Sequence, residues 1–119
     1  MIRTVAAFAF CVLAWSASAE TMTLASHYKA QGTNPDGSAY SGDVDVSIIS
    51  DTTFSIVWRI GDAKYKGFGM RMNEALAATY MIDGEPGLVI YKVGGDGLNG
   101  LWAIKGRNGN GTERLTPAD

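Results

Sequence analysis

Three segments of the chain alternate apolar with mainly polar residues, and this pattern restricts the fold more than any other feature. The segments are residues 40–48, 54–60 and 98–105. A period of two is typical of strands that bury one face and expose the other. The faces predicted to point inward carry Tyr40, Val44, Val46, Ile48, Phe54, Ile56, Trp58, Ile60, Leu98, Trp102 and Ile104.

Turn signals rich in Gly, Asn and Asp separate these segments at regular spacing, as hairpins require. Neighbouring strands should pair as antiparallel hairpins, and the simplest closure is an all-β, up-and-down barrel, which leaves no exposed edges. A two-sheet β-sandwich is the second architecture. The turns predict about eight strands, at residues 22–31, 39–49, 53–60, 63–71, 75–82, 87–93, 97–105 and 111–116.

Residues 70–82 allow a second interpretation. The segment is rich in helix formers, and Met72, Leu76 and Tyr80 share a helical face. It lacks a strong N-terminal cap, however, and Asn73-Glu74 also reads as the tip of a turn between two strands. Strand–turn–strand is therefore favoured over a helix.

The first 19 residues have the pattern of a secretory signal peptide. Arg3 supplies a positive charge, residues 5–15 form an apolar run, and Ser16-Ala17-Ser18-Ala19 provides small residues for cleavage. The run of about 11 residues is shorter than the roughly 20 that span a bilayer as a helix. Cleavage would remove Cys11 and leave one cysteine-free domain at residues 20–119. We expect this domain to be exported, periplasmic or secreted, and not inserted in a membrane.

The polar residues contain no catalytic constellation. His27, the single histidine, falls on the polar face of the first strand, and Asp43 and Asp45 share an exposed face. One histidine and no mature cysteine argue against a zinc site, and no phosphate-binding motif predicts a cofactor. The scattered basic residues and net charge of −2 argue against nucleic acid as a partner. A small hydrolase or isomerase using His27 and Asp43 is a remote alternative to a non-enzymatic protein.

The aromatic residues are the best candidates for a binding site. Trp58, Tyr80, Trp102 and Tyr40 are all predicted to point inward, with Phe54 and Tyr65 nearby. In a small barrel such side chains either fill the interior or line a pocket for one ligand. Filling is favoured, because so short a domain without disulfides needs a full core.

Several motifs resemble those of a family of small exported bacterial proteins, some of which carry a fibronectin-binding label. The motifs are GTNPDGSAYSG at residues 32–42, WRIG at 58–61, YKGFG at 65–69 and GLNGLW at 97–102. The resemblance covers nearly all of the chain after residue 19 and implies export. The spacing of Gly with Trp or Tyr is also similar to that of avidin- and lipocalin-type barrels.

Together these features predict an exported binding module that is not an enzyme. Its partner would be a small apolar or aromatic ligand held inside the barrel, or an extracellular protein held at its rim. The alternative, which the fibronectin-binding label suggests, is an adhesion or protein-interaction domain that uses the outer surface.

Overall fold

The computed structural model describes residues 23–118, which form a closed barrel of eight antiparallel strands. Each strand pairs with its neighbours along the chain, and the last pairs with the first. The predicted up-and-down barrel is confirmed. The strands are β1 (His27–Thr33), β2 (Ala39–Ile48), β3 (Thr53–Ile60), β4 (Ala63–Met72), β5 (Ala75–Ile82), β6 (Glu85–Gly94), β7 (Gly97–Ile104) and β8 (Gly111–Pro117).

Tight turns at the two ends of the barrel set the register. Asn73 and Asp83 both have positive φ angles, of 55° and 51°, and Gly84 follows Asp83 at 81°. Short turns with positive φ match the right-handed twist of the strands that they join. Residues 70–82 are thus strand, turn and strand, and the helical alternative for them is wrong.

Some predicted boundaries and faces differ from the structure. β1 begins at His27 instead of residue 22, and β6 begins at Glu85 instead of residue 87, because the turn before it is shorter than predicted. The alternation places Ile48 on the inner face, but its side chain is 57% exposed. His27, the first residue of β1, pairs with Asp45, so the last residues of β2 extend beyond the start of β1. Ile48 therefore lies at the rim of the barrel. The predicted signal peptide lies outside the described residues.

One half of the barrel is solidly packed. Phe54, Ile56 and Leu115 are at most 2% exposed and meet near the β2–β3, β4–β5 and β6–β7 turns. Leu24 and Ala25 pack against this cluster from the chain that precedes β1, and the Ala25 amide donates to the Tyr28 hydroxyl at 2.9 Å. We call this half the closed half. Within residues 23–118, no helix is long and apolar enough to cross a membrane.

Candidate ligand-binding site

The opposite half of the barrel, which we call the open half, contains a cavity of about 170 Å³. It extends toward the turn after β1 and the ends of β3 and β5, so its mouth lies among the turns that join β1 to β2, β3 to β4 and β5 to β6. A second depression on the rim shares Asn34, Ile82 and Trp102 with it. The cavity is lined by Asn34, Tyr40, Trp58, Ile60, Tyr65, Tyr80, Ile82, Val89, Tyr91, Trp102 and Glu113.

Glycines on adjacent strands make room for the aromatic walls of the cavity. Gly87 pairs with Tyr80, and Gly111 pairs with Trp102. A Cβ atom added to Gly87 would lie 2.4 Å from the Tyr80 ring, and one added to Gly111 would lie 2.2 Å from the Trp102 ring. Each ring therefore occupies the space where its partner's side chain would be, as in aromatic–glycine pairs of designed sheets. The rings lie against the barrel wall and leave the axis open.

The rings also contact one another in favourable geometries. The centroids of Trp58 and Tyr80 are 5.3 Å apart with the rings tilted by 60°. Those of Tyr40 and Trp102 are 6.2 Å apart at 67°, an edge-to-face arrangement. Aromatic pairs prefer such arrangements within about 4.5–7 Å. These contacts hold the four rings in place as a preformed wall.

The cavity wall includes one buried carboxylate, that of Glu113, which is 5% exposed. The Tyr40 hydroxyl donates to its Oε1 atom at 2.8 Å. Its Oε2 atom accepts from the Trp58 indole at 3.0 Å and from the Tyr91 hydroxyl at 2.5 Å. Three neutral donors, on β2, β3 and β6, thus hold a side chain of β8. Such hydrogen bonds satisfy a buried carboxylate but bring no compensating positive charge.

Burial and this carboxylate change the ionisation of the surrounding phenols. Burial, and then the charge of Glu113, raises the pKa of Tyr80 from its ordinary 10.0 to about 12. The same causes, in the same order, raise the pKa of Tyr40. They also hold the pKa of Tyr91 well above 10.0. A negative charge on any of these phenols is disfavoured both by the apolar surroundings and by Glu113.

This electrostatic arrangement predicts a loss of stability at alkaline pH. In the unfolded chain Tyr80 loses its proton near pH 10, whereas in the barrel it keeps the proton until about pH 12. The contribution of the protonated Tyr80 side chain to the stability of the fold is complete below pH 10. It is lost as the pH rises toward 12, because the unfolded state then binds fewer protons than the barrel does. We expect the melting temperature of Tyr80→Phe to fall less steeply over this interval than that of the unmodified protein. Parallel slopes would contradict the assigned pKa.

All four residues predicted as interior candidates line this cavity. Tyr40, Trp58, Tyr80 and Trp102 come from β2, β3, β5 and β7, and the fold brings them together around one space. Sequence reasoning missed Glu113, although a detectable signal was present. Glu113 alternates with Gly111 and Leu115 in β8, so its position on the inner face followed from the period of two. Tyr91, which also lines the cavity, was not singled out either.

The polar residues considered for catalysis lie elsewhere. His27 and Asp43 are on the outer surface, where the Lys29 amine donates to Asp43 at 2.7 Å. His27 instead pairs with Asp45 at 2.6 Å, and Asp45 also pairs with Arg59. Arg59, and then His27, lowers the pKa of Asp45 from its usual value. Residues 23–118 contain no group of three or more His, Cys, Asp or Glu that could hold a metal ion.

Comparisons with known proteins show the fold but no family. No family model and no curated protein matches this chain. A de novo designed fluorescence-activating β-barrel matches with a TM-score of 0.60 and 14% sequence identity, covering 80% of this chain and 94% of its own. A mutant of the fluorescent protein UnaG matches with a TM-score of 0.55 and 10% identity, covering 81% and 96%. The chain is thus similar to small closed β-barrels in overall architecture.

Proposed function

We propose that this protein is an exported, non-enzymatic binding module that holds one small molecule in the open half of its barrel. The observation that carries the proposal is the contrast between the two halves. Phe54 and Leu115 are completely buried in the closed half, while aromatic side chains in the open half surround a cavity. A preformed apolar cavity with a few polar groups is the usual form of a small-ligand site.

The size of the cavity limits the ligand. A cavity of about 150 Å³ in another protein holds benzene, and the cavity here measures about 170 Å³. The enclosed part of the ligand is therefore on the order of six to ten non-hydrogen atoms. Further atoms would extend past Asn34 and Ile82 onto the rim. The similarity to the designed barrel and to UnaG supports the barrel architecture, whereas the cavity itself supports binding.

Filling the cavity with a larger side chain should weaken binding. Val89 is 3% exposed on the cavity wall, whereas its neighbour Leu88 is 62% exposed on the outer face. We expect Val89→Phe to weaken the binding of small fragments by about tenfold or more, a loss of about 1.4 kcal/mol. The matched control, Leu88→Phe, adds an aromatic ring outside the barrel and should leave the affinity unchanged.

The measurement is an NMR titration of the ¹⁵N-labelled protein with water-soluble fragments, neutral and cationic, such as phenol, indole, benzylamine and choline. The proposal predicts saturable shifts of the indole N–H signals of Trp58 and Trp102 with at least one fragment. If no fragment produces a saturable shift at millimolar concentrations, the small-ligand function is wrong. The same holds if Val89→Phe binds every fragment as well as the unmodified protein.

A second candidate function, binding an extracellular protein on the outer surface, is favoured by a row of exposed apolar side chains. Met70, Ala77, Ile90 and Leu101 are consecutive cross-strand partners on β4 to β7. Of these, Met70, Ile90 and Leu101 are each more than half exposed. A contiguous apolar area on a barrel exterior is typical of protein-interaction surfaces. Titration shifts confined to this row, with none at the two indoles, would favour this function over the first.

A further inference from the structure

We infer that the ligand of the open half is an organic cation whose alkylated ammonium group lies against Glu113 and the aromatic walls. This inference rests on the proposed small-ligand function and gives the chemical class of the ligand. It is supported by the charge of the cavity, the hydrogen bonds that hold Glu113, the aromatic walls and the size of the space.

The charge of the cavity comes from Glu113. Apart from the tyrosines, Glu113 is the one residue with an ionisable side chain among those that line the cavity. The lining contains no Lys or Arg. The side chains within hydrogen-bonding distance of its carboxylate are Tyr40, Trp58 and Tyr91, none of them cationic. A carboxylate in apolar surroundings that is hydrogen-bonded but not ion-paired gives the cavity a negative potential. Anionic groups are therefore repelled from the cavity, and cations are attracted to it.

The hydrogen bonds to Glu113 use most of its acceptor positions. An ionised carboxylate offers about four acceptor positions, and three donors already approach the Glu113 oxygens. Few acceptor positions of Glu113 therefore remain for a ligand. The three donors are neutral, so they do not cancel the negative charge of the carboxylate. A primary ammonium group would need three acceptors for its three N–H donors. A quaternary ammonium group needs none, since it has no N–H and interacts through charge and contact alone.

The walls of the cavity beside Glu113 are mainly aromatic. Trp58, Tyr80 and Trp102 surround the space beside Glu113, and Tyr40 and Tyr65 complete its aromatic wall. Cations are attracted to the faces of aromatic rings, most strongly to tryptophan, and clusters of such rings recognise quaternary ammonium groups. The Trp58–Tyr80 and Tyr40–Trp102 contacts hold these rings before any ligand arrives. The site is thus preorganised for an alkylated cation.

The size of the cavity suits a small alkylated ammonium group. The cavity of about 170 Å³ is close to one that admits benzene, so a trimethylammonium group with a short substituent fits within it. A polar end of the ligand would point toward Asn34 at the mouth. Large aromatic cations would exceed the enclosed space.

The inference is tested with two probes of equal shape, choline and 3,3-dimethylbutan-1-ol, in which a carbon atom replaces the charged nitrogen. Both are titrated into the protein by NMR, following the indole signals of Trp58 and Trp102. We expect choline to bind at least about tenfold more tightly, because only choline carries the charge that Glu113 and the rings recognise. This comparison needs no variant, so it does not depend on how well any substitution folds.

Substitution of the carboxylate gives the second arm of the test. In Glu113→Gln the amide oxygen can still accept from Trp58 and Tyr91, and the amide N–H can donate to the Tyr40 hydroxyl. The substitution removes the charge, and it should reduce the preference for choline to within about twofold. The matched control is Asp43→Asn, which removes one negative charge on the outer surface and should keep the full preference.

The outcomes separate the inference from the proposed function. Tighter binding of the neutral alcohol, or an unchanged preference in Glu113→Gln, would overturn the cationic ligand and leave small-molecule binding intact. If neither probe binds but phenol or indole still shifts the two indole signals, the cationic ligand is again wrong. If no fragment of any charge binds, both proposals fail.

Discussion

Replacing Phe54 with alanine should lower the free energy of unfolding by about 3–5 kcal/mol. Phe54 is fully buried in the closed half, and its ring packs against Gly69, its partner on β4. The glycine has no side chain with which to fill the space that the ring would leave. Relaxation around the new cavity is therefore limited, and the cost should approach the upper part of this range. Chemical denaturation followed by tryptophan fluorescence measures it.

Phe68 provides the matched control on the same pair of strands. It pairs with Ser55, one residue from Phe54 along β3, but its side chain is 54% exposed on the outer face. Phe68→Ala should change the unfolding free energy by no more than about 0.5 kcal/mol. Equal losses for the two variants would mean that the closed half is not the core of the barrel.

Removing the hydroxyl group of Tyr91 should have the second largest effect on stability. Tyr91 is 1% exposed, and its hydroxyl donates to Glu113 while accepting from the Trp58 indole at 3.1 Å. Tyr91→Phe leaves a buried carboxylate with one donor fewer, and a hydrogen bond to a charged group contributes about 1.5–3 kcal/mol. We expect a loss of stability in that range, measured by the same denaturation.

Tyr65→Phe is the corresponding control in the same cavity. Tyr65 lines the wall and packs against the core cluster, but within residues 23–118 no hydrogen bond of its hydroxyl is found. Its substitution should cost less than about 0.5 kcal/mol. If Tyr65→Phe proved as costly as Tyr91→Phe, the energetic role assigned to the Glu113 contacts would be incorrect.

Much of the fold could be predicted because local patterns determine it. Alternation along residues 54–60 indicates β3 and its buried face, and turn residues such as Asn73-Glu74 and Asp83-Gly84 separate the later strands. The inward direction of Trp58 and Trp102 follows from the same alternation. Each of these predictions depends on a few consecutive residues, and tertiary contacts did not override them.

The cavity could not be predicted in the same way. Whether inward aromatic rings fill a barrel or line its wall depends on what lies opposite them on the paired strand. Gly32 faces Tyr40 across β1 and β2, and Gly111 faces Trp102 across β7 and β8. These pairings require the register of the strands, which turn lengths set and which alternation alone does not reveal. The expectation of a filled interior therefore holds for the closed half only.

Glu113 was missed for a different reason. The flanking turns locate β8, and its three buried residues, Gly111, Glu113 and Leu115, alternate along the strand. A carboxylate on an inner face nevertheless runs against the usual preference for apolar residues there. The donors that make burial of this carboxylate possible lie on β2, β3 and β6, far away in the chain. A single acidic residue in a strand gives no indication of such partners.

The most direct test of a ligand site in the open half is a crystal structure of the protein soaked with the fragment that binds most tightly in the NMR titration. We predict electron density for the fragment between Trp58, Tyr80 and Trp102, next to Glu113, with the closed half unchanged. Density on the outer row around Ile90 and Leu101 alone, or rings that have collapsed to close the cavity, would contradict the account.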